Sequence, residues 1–489
     1  METRGPDSRK GLTLAATVLG SSLAFIDATV VIVALPTIAE DLEFGLAGQQ
    51  WIFLSYSLSL AALYLVGGAV GDRFGRRTVF VAGCAGFALA SVLAGLAPNG
   101  GTLIVARALQ GVAGAFLTTN SLALLRATYG ADSGRAIGLW TSLTSVATIA
   151  GPPAGGALVE WVSWRWIFLI NLPLAGAAVL LALAGRAGER PAPRAGRLDL
   201  PGAALAATGF GLLTYGLVEG ADRGFADLWW AFAGAAAALA AFVAVERRVS
   251  EPMLPFGLFR VRNFAAANAA TFLTYAALYG FLVFFTLYLQ FLGFTPFQAG
   301  LLNIPASLVL ILLAARFGAL ADRQGPRLYL TLGPALIGTG TLVFLLVEER
   351  SDFWTAGIAG VALFSLGLAM LVAPITATAL KSVPERHAGI ASGVNSTVSR
   401  LGSLVAVAVI GLVISLVFDA RVDAPDAVPL ARGQTEPELR DASVAGFRAG
   451  MLVAAALAFA GAAVGAAGIS NREAMGLEQA LSAEEPAGS

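Results

Sequence analysis

The decapeptide GAVGDRFGRR at Gly68–Arg77 recurs as GALADRQGPR at Gly318–Arg327, an offset of 250 residues within a chain of 489. Each copy follows the second long apolar segment of its half of the chain. A single copy resembles any short basic turn between membrane helices. Two copies at matching positions point instead to a chain built from repeated halves. Secondary transporters are built this way, with the substrate site near mid-membrane where the repeats meet.

Outward from these two turns the chain is apolar. Hydrophobic residues make up 57% of it and charged residues 13%, about half the charged fraction of a soluble domain. Apolar segments fall near 12–36, 51–71, 78–97, 102–126, 137–159, 166–185, 200–219, 228–246, 264–289, 297–320, 328–347, 353–378, 388–418 and 444–469. Their lengths suit a hydrocarbon core about 30 Å thick. The fold class is therefore an all-α integral membrane protein with about 14 transmembrane helices. A soluble enzyme, a disordered chain and a nucleic-acid binder are excluded. One cysteine, Cys84, and one histidine, His387, make neither an internal disulfide nor a zinc site. No metal and no cofactor is expected.

Charge placement gives an orientation. Met1–Lys10 is basic and polar, and the apolar run Gly11–Pro36 is too long for a cleaved signal peptide. With the first helix starting in the cytoplasm, 21 Lys and Arg residues fall inside and 6 outside. Arg107, Arg316, Arg400 and Arg448 are left within helices or at their ends. This bias follows the positive-inside rule and puts both termini in the cytoplasm. The acid-rich segment Asp419–Ser443 is the longest outside loop and is expected to be the most flexible.

Five segments in order carry a family resemblance: AFIDATVVIVALP (Ala24–Pro36), GAVGDRFGRR (Gly68–Arg77), RALQGVAGA (Arg107–Ala115), GPPAGG (Gly151–Gly156) and SWRWIFLINLP (Ser163–Pro173). HAGIASGVNSTVSRLG (His387–Gly402) adds a sixth in the second half. The sequence resembles the major facilitator superfamily, and within it the 14-helix drug/proton antiporters. The resemblance implies a six-helix bundle over 1–199, two linking helices over 200–250 and a second six-helix bundle with a cytoplasmic tail over 251–489. It implies a monomeric, multi-pass protein of a bacterial plasma membrane that exports small lipophilic or amphiphilic compounds by alternating access. The proton is the coupling ion, the activity is not enzymatic, and lipid is the surrounding partner.

Asp27 is the one acid placed deep inside a helix. A carboxylate there costs about 2.5–3.5 kcal/mol on insertion scales, and protonation relieves that cost. Intramembrane ionisable residues are functional by default, although a structural carboxylate bonded to a neighbouring helix is the other reading. Counted at 1.5 Å per residue, Asp27 lies about 13–14 Å below the outer surface and Arg107 about 7–8 Å below it. The gap, about 6 Å, is within reach of an arginine. By resemblance Arg107 belongs to the proton-transfer motif; otherwise it snorkels to the interface.

The resemblance makes the first turn, with Gly68, Asp72, Arg73, Gly75, Arg76 and Arg77, a gate on the inside face. The second copy keeps Asp322 and Arg323 but carries Pro326 where the first has Arg76, which predicts a weaker clamp. Gly151, Pro152, Gly155 and Gly156 match the signature of exporters that exchange substrate for protons. Gly and Pro in that pattern also permit kinking and close helix packing.

Substrate contacts are less defined. Asn268, Phe272, Tyr275 and Tyr279 share one helical face, which either lines a cavity for flat apolar molecules or packs against a neighbour. Asn303, Gln290 and Asn120 carry the same two readings. Arg400 contacts either an anionic group or a helix end. No acid lies between Phe264 and Phe418 away from the loops, which disfavours dications. Two alternatives to a broad exporter are a dedicated exporter of one physiological compound and a membrane-embedded lipid-modifying enzyme. The latter would need a nucleophile or metal constellation that His387 alone does not supply.

Overall fold

A computed structural model describes residues 6–130, 133–185, 199–249, 254, 256–384, 388–424 and 427–474. Arg4, Arg186, Arg190, Arg194, Arg197, Arg386, His387 and the tail from 475 lie outside the described residues. The helices in chain order are α1 Pro6–Asp41, α2 Leu46–Phe74, α3 Arg76–Gly95, α4 Gly100–Tyr129, α5 Ser133–Trp161, α6 Trp166–Leu169, α7 Asn171–Ala184 and α8 Leu200–Arg223. They continue as α9 Trp229–Glu246, α10 Arg262–Phe291, α11 Pro296–Leu301, α12 Ile304–Gln324, α13 Arg327–Val343, α14 Ala356–Lys381, α15 Ala388–Asp419 and α16 Pro437–Gly468. No strand occurs among the described residues.

Each apolar segment of the sequence becomes a helix or a helix pair, α6 with α7 and α11 with α12. Among the described residues 12 helices are long and apolar enough to cross a membrane, and 13 if the bent α2 counts as one span. α5 is 29 residues long but richer in Ser, Thr, Gly and Pro, which dilutes its apolar character. Apolar side chains such as Leu89, Leu180 and Leu312 stay exposed, at 68%, 68% and 67%. Against lipid tails such exposure carries no penalty, because there is no hydrophobic drive to bury them.

Helix ends follow local chemistry. Asn99 caps α4 by accepting from the Thr102 amide at 2.9 Å. Thr295 and Gln298 form a capping box at α11. The two repeated decapeptides turn alike: Gly75 has φ 93° and Gly325 φ 89°, a region that L side chains avoid. The helix α16 starts at Pro437, seven residues before the apolar run. Proline suits the first helical turn, and Glu438 lies favourably at that N-terminus. Within its second turn, Ser443 accepts from the Leu430 amide at 3.2 Å and donates to Gln434 at 2.8 Å.

The chain forms two compact units: residues 1–251 with 294–303, and residues 252–293 with 304–489. In the first, α1 packs on α5 and α7, α4 on α2 and α3, and the hairpin α8–α9 on α2. Its core joins Tyr56, Phe80, Cys84, Phe87 and Leu117. Gly111 lets α4 close on α2, since a Cβ there would meet the Tyr56 carbonyl oxygen at 2.3 Å. In the second unit α13 packs on α14 and α16, and α10 on α15 and α16. Its aromatic core stacks Phe281 on Phe364 at 4.3 Å and Phe285 on Phe344 at 4.7 Å.

Candidate coupling site

Asp27 stands on α1 and Arg107 on α4, with side chains fully shielded from the exterior. The guanidinium Nη1 donates to Asp27 Oδ2 and, at 2.8 Å, to Gln110 Oε1. Its Nε donates to the Ile52 carbonyl of α2 at 3.2 Å. The guanidinium also sits 4.4 Å from the ring centroid of Tyr56 and 5.8 Å from that of Phe168, a favourable cation–π arrangement. A buried ion pair offsets its desolvation only when further hydrogen bonds fill the remaining lone pairs and protons.

Two neutral side chains supply such bonds to the pair and Ser91 holds both of them, while Arg107 Nη2 is left without a hydrogen bond. Gln110, one helical turn beyond Arg107, donates through Nε2 to Asp27 Oδ1 at 3.2 Å and to Ser91 Oγ at 2.8 Å. Asn171 donates through Nδ2 to the same Asp27 Oδ1 at 3.2 Å and to Ser91 Oγ at 3.3 Å. All three are buried. The site thus joins α1, α2, α3, α4 and the α6–α7 break around one carboxylate. Such a cluster holds a charge away from water.

Sequence reasoning found the pair and not its surroundings. Gln110 and Asn171 lie inside two of the quoted segments, and Gln110 shares a helical face with Arg107. Nothing in the chain's local pattern marks Ser91, which only the α3–α4 packing brings in.

The first repeated turn is tied within its own unit. Asp72 pairs with Arg76 at 2.9 Å, Arg76 donates to the Ala123 carbonyl of α4 at 3.2 Å, and Arg77 to the Leu183 carbonyl of α7 at 2.5 Å. Arg73 lies 5.8 Å from the ring of its neighbour Phe74, while space beside Gly68 is open. In the second copy Asp322 reaches Lys381 of α14 at 3.0 Å, and Arg323 is exposed. Asn120 donates to the Gly67 carbonyl at 2.9 Å and so fastens α4 to α2.

The glycines of α5 are contact points. Cβ atoms at Gly151 and Gly155 would meet Thr29 and Val30 of α1 at 2.3 and 2.6 Å. At Gly156 one would meet the Pro296 carbonyl of α11 at 2.4 Å, and at Gly300 the Pro152 carbonyl at 2.3 Å. Glu160 accepts from the Phe297 amide at 3.2 Å, and Trp161 lies against the Phe297 ring at 4.9 Å. This seam draws residues 294–303 into the first unit.

In the second unit Asn268 is buried and occupied. It donates to the Phe264 carbonyl at 2.9 Å and accepts from Asn395 at 3.4 Å. Phe272, Tyr275 and Tyr279 are half-buried on the face of α10 that they share, with the two tyrosine rings 6.5 Å apart. Asn303 donates back to the Ala299 carbonyl at 2.9 Å, Gln290 is buried, and Arg400 is half-buried on α15.

Comparison with known proteins now bears on this geometry. The profile of the Major Facilitator Superfamily matches residues 17–407. Multidrug resistance protein Stp of Mycobacterium tuberculosis (strain CDC 1551 / Oshkosh) is 37% identical over 421 residues, 84% of this chain and 77% of that one. Multidrug efflux pump LfrA of Mycolicibacterium smegmatis is 35% identical, covering 86% of this chain and 84% of its own. Methylenomycin A resistance protein of Bacillus subtilis is 33% identical, covering 81% and 86%. Among solved structures, a bacterial homolog of the human lysosomal transporter Spinster superposes with a TM-score of 0.66 at 18% identity, over 96% of this chain and 98% of that one. That likeness speaks to the fold alone. Sequence profile, curated relatives and fold agree: the chain is a multi-pass membrane protein that belongs to the major facilitator superfamily.

Proposed function

We propose that the protein exports small lipophilic or amphiphilic compounds in exchange for protons, with Asp27 as the proton carrier and Arg107 as its counter-charge. The observation that supports this reading is the Asp27–Arg107 pair, fully buried between α1 and α4. The relatives named for multidrug resistance and efflux supply the substrate class and the direction. The exchange-type glycines of α5 fit it.

The chemistry needs no cofactor. A proton reaching Asp27 cancels the carboxylate charge and weakens its hold on Arg107, which then keeps the Ile52 carbonyl, Gln110 and the Tyr56 ring as partners. Loss of the proton restores the pair. Because the charged and neutral sites favour different packings of α1 against α4, each turnover carries one site from loaded to empty. In this reading both termini face the cytoplasm of a bacterial cell and protons enter from outside. Each proton then supplies about 1.4 kcal/mol per pH unit and about 2.3 kcal/mol per 100 mV.

A dedicated exporter of one compound uses the same machinery, and the relative named for methylenomycin A resistance favours keeping that reading. The test is transport by the purified full chain in proteoliposomes under an imposed pH gradient, with ethidium and a set of neutral antibiotics as probes. Wild type should accumulate one or more of them, and Asp27→Asn should not, while remaining correctly folded. Undiminished gradient-driven transport by Asp27→Asn rules the carrier assignment out.

A further inference from the structure

We propose that Asn171 is a positioning residue that reads the protonation state of Asp27 by rotating its side-chain amide, and so reports that state to the α6–α7 break. The inference rests on the reading of Asp27 as proton carrier and goes beyond it by naming the group that responds.

Both neighbours of Asp27 Oδ1 are amide NH2 groups, Gln110 Nε2 and Asn171 Nδ2, each at 3.2 Å. That arrangement suits an ionised carboxylate, which only accepts. When a proton binds an Oδ1 lone pair, the new O–H faces two donors and needs an acceptor. Only an amide that turns over provides one.

Gln110 is not free to turn. Its Oε1 is held by Arg107 at 2.8 Å and its Nε2 by Ser91 at 2.8 Å. Asn171 differs: its Oδ1 is buried and makes no hydrogen bond. A buried acceptor without a partner is costly and rare in native proteins. Rotation by a half-turn brings that idle oxygen to the Asp27 O–H and gives it a donor. Ser91 accommodates both states because a hydroxyl accepts and donates. It accepts from Asn171 Nδ2 at 3.3 Å in the charged state, and its own proton is available to Oδ1 after the turn.

Position gives the rotation a consequence. Asn171 is the first residue of α7, directly after the α6 helix Trp166–Leu169 and the single residue Ile170. Phe168, two residues before Ile170, lies under the Arg107 guanidinium. The break is therefore in touch with both members of the ion pair. Charged or titratable groups facing Asp27 from the packed elements are few. Arg107 comes from α4, Tyr56 from α2, its hydroxyl donating to the Ala24 carbonyl at 3.4 Å, and Cys84 from α3, near Gly20. The described residues of α5, α6 and α7 place no charge at this level.

The test is infrared difference spectroscopy of the purified full-length protein across pH, which needs no transported compound. The carboxylic-acid band of Asp27 is identified by its loss in Asp27→Asn. Replacing Asn171 by Leu, close in volume, removes both the donor to the charged form and the acceptor for the neutral one. The charge-assisted bond is the stronger of the two, so the midpoint of the band should rise by about 0.5–1 pH unit. The band should also move in frequency, because the O–H has lost its acceptor. Ser91→Ala should shift the midpoint the same way by less. Should Asn171→Leu not fold, Asn171→Ala carries the same expectation with a smaller side chain. A midpoint and band both unmoved in the folded Asn171 variant overturn the inference alone. Absence of any pH-dependent band removed by Asp27→Asn overturns the carrier reading, and the inference with it.

Discussion

Asp322 pairs with Lys381 of α14 at 3.0 Å, whereas its counterpart in the first repeat, Asp72, pairs across the Gly75 turn with Arg76 at 2.9 Å. The difference follows from one substitution. Pro326 occupies the position of Arg76, so the second acid has no local partner and recruits one from another helix. The second turn thereby bridges α12 and α14. Both partners are about half exposed, 50% and 46%, so the pair is worth only about 0.2–1 kcal/mol. Lys381→Asp should lower thermal stability slightly and gradient-driven transport by about two- to five-fold. The exchange Asp322→Lys with Lys381→Asp should recover most of the loss, as a double-mutant cycle of transport rates will read.

Removing the counter-charge is a harsher change. Arg107→Leu leaves Asp27 buried without its cation, and breaking a buried pair costs about 3–5 kcal/mol. The variant relieves this by keeping Asp27 protonated, so transport should lose its dependence on the pH gradient. Arg107→Lys keeps the charge but cannot reach Asp27, Gln110 and the Ile52 carbonyl together, and should retain less than about a tenth of the gradient-driven rate. Proteoliposome flux against imposed pH, with melting temperature as the folding control, separates the two.

At Gly156 the α5–α11 seam leaves no room for a methyl group. Gly156→Ala places carbon 2.4 Å from the Pro296 carbonyl, which is backbone and cannot swing aside. Overpacking of this kind costs about 1–3 kcal/mol. Gly176, on α7, has nothing within 4 Å of its Cβ position, so Gly176→Ala should stabilise by about 0.5–1 kcal/mol through helix propensity. Thermal unfolding of both variants is the measurement; equal behaviour would mean the seam is not formed in solution.

A hydrogen bond fastens the α8–α9 hairpin to α2. Trp51 Nε1 donates to Glu219 Oε1 at 2.9 Å, and Glu219 also accepts from Arg223 at 2.9 Å. Trp51→Phe keeps the ring against Tyr215 but drops the donor. It should lower stability by about 1–2 kcal/mol, whereas Arg223→Ala, at 60% exposure, should change it by less than about 0.5 kcal/mol.

Cys84 offers a simple check on the core of the first unit. Its side chain is fully buried beside Gly20 and Phe80. A maleimide should leave the folded protein unlabelled over hours and modify it within minutes once it is unfolded, as intact-mass spectrometry will show. Rapid labelling of the folded chain would contradict the packing of α3 on α1.

The elements were legible because they are set by local composition. A helix needs about 20 apolar residues to satisfy its own backbone in hydrocarbon, and that demand is written into consecutive positions. The repeated turn was legible too, since Gly75 and Gly325 both adopt a conformation that favours glycine. Asp27 stood out by its expense, and Arg107 followed from counting helical rise. The N-terminal extension of α16 was less visible, because Pro437 and Glu438 read as loop until the burial of Val444 and Phe447 is known. Asn268 suggested a cavity by its spacing. Its amide is engaged by Phe264 and Asn395, and the latter lies on a helix far away in the chain.

By itself, then, the sequence determined the membrane helices, the repeat, the family and the carboxylate set deep in α1, because each depends on residues adjacent in the chain or one helical turn apart. Tertiary structure alone decided which neutral side chains close around Asp27, that Asp322 turns to Lys381, and that α11 seats on Gly156. Those relations join helices separated by scores of residues, and they rest on contact distances of 2–4 Å that no local pattern encodes.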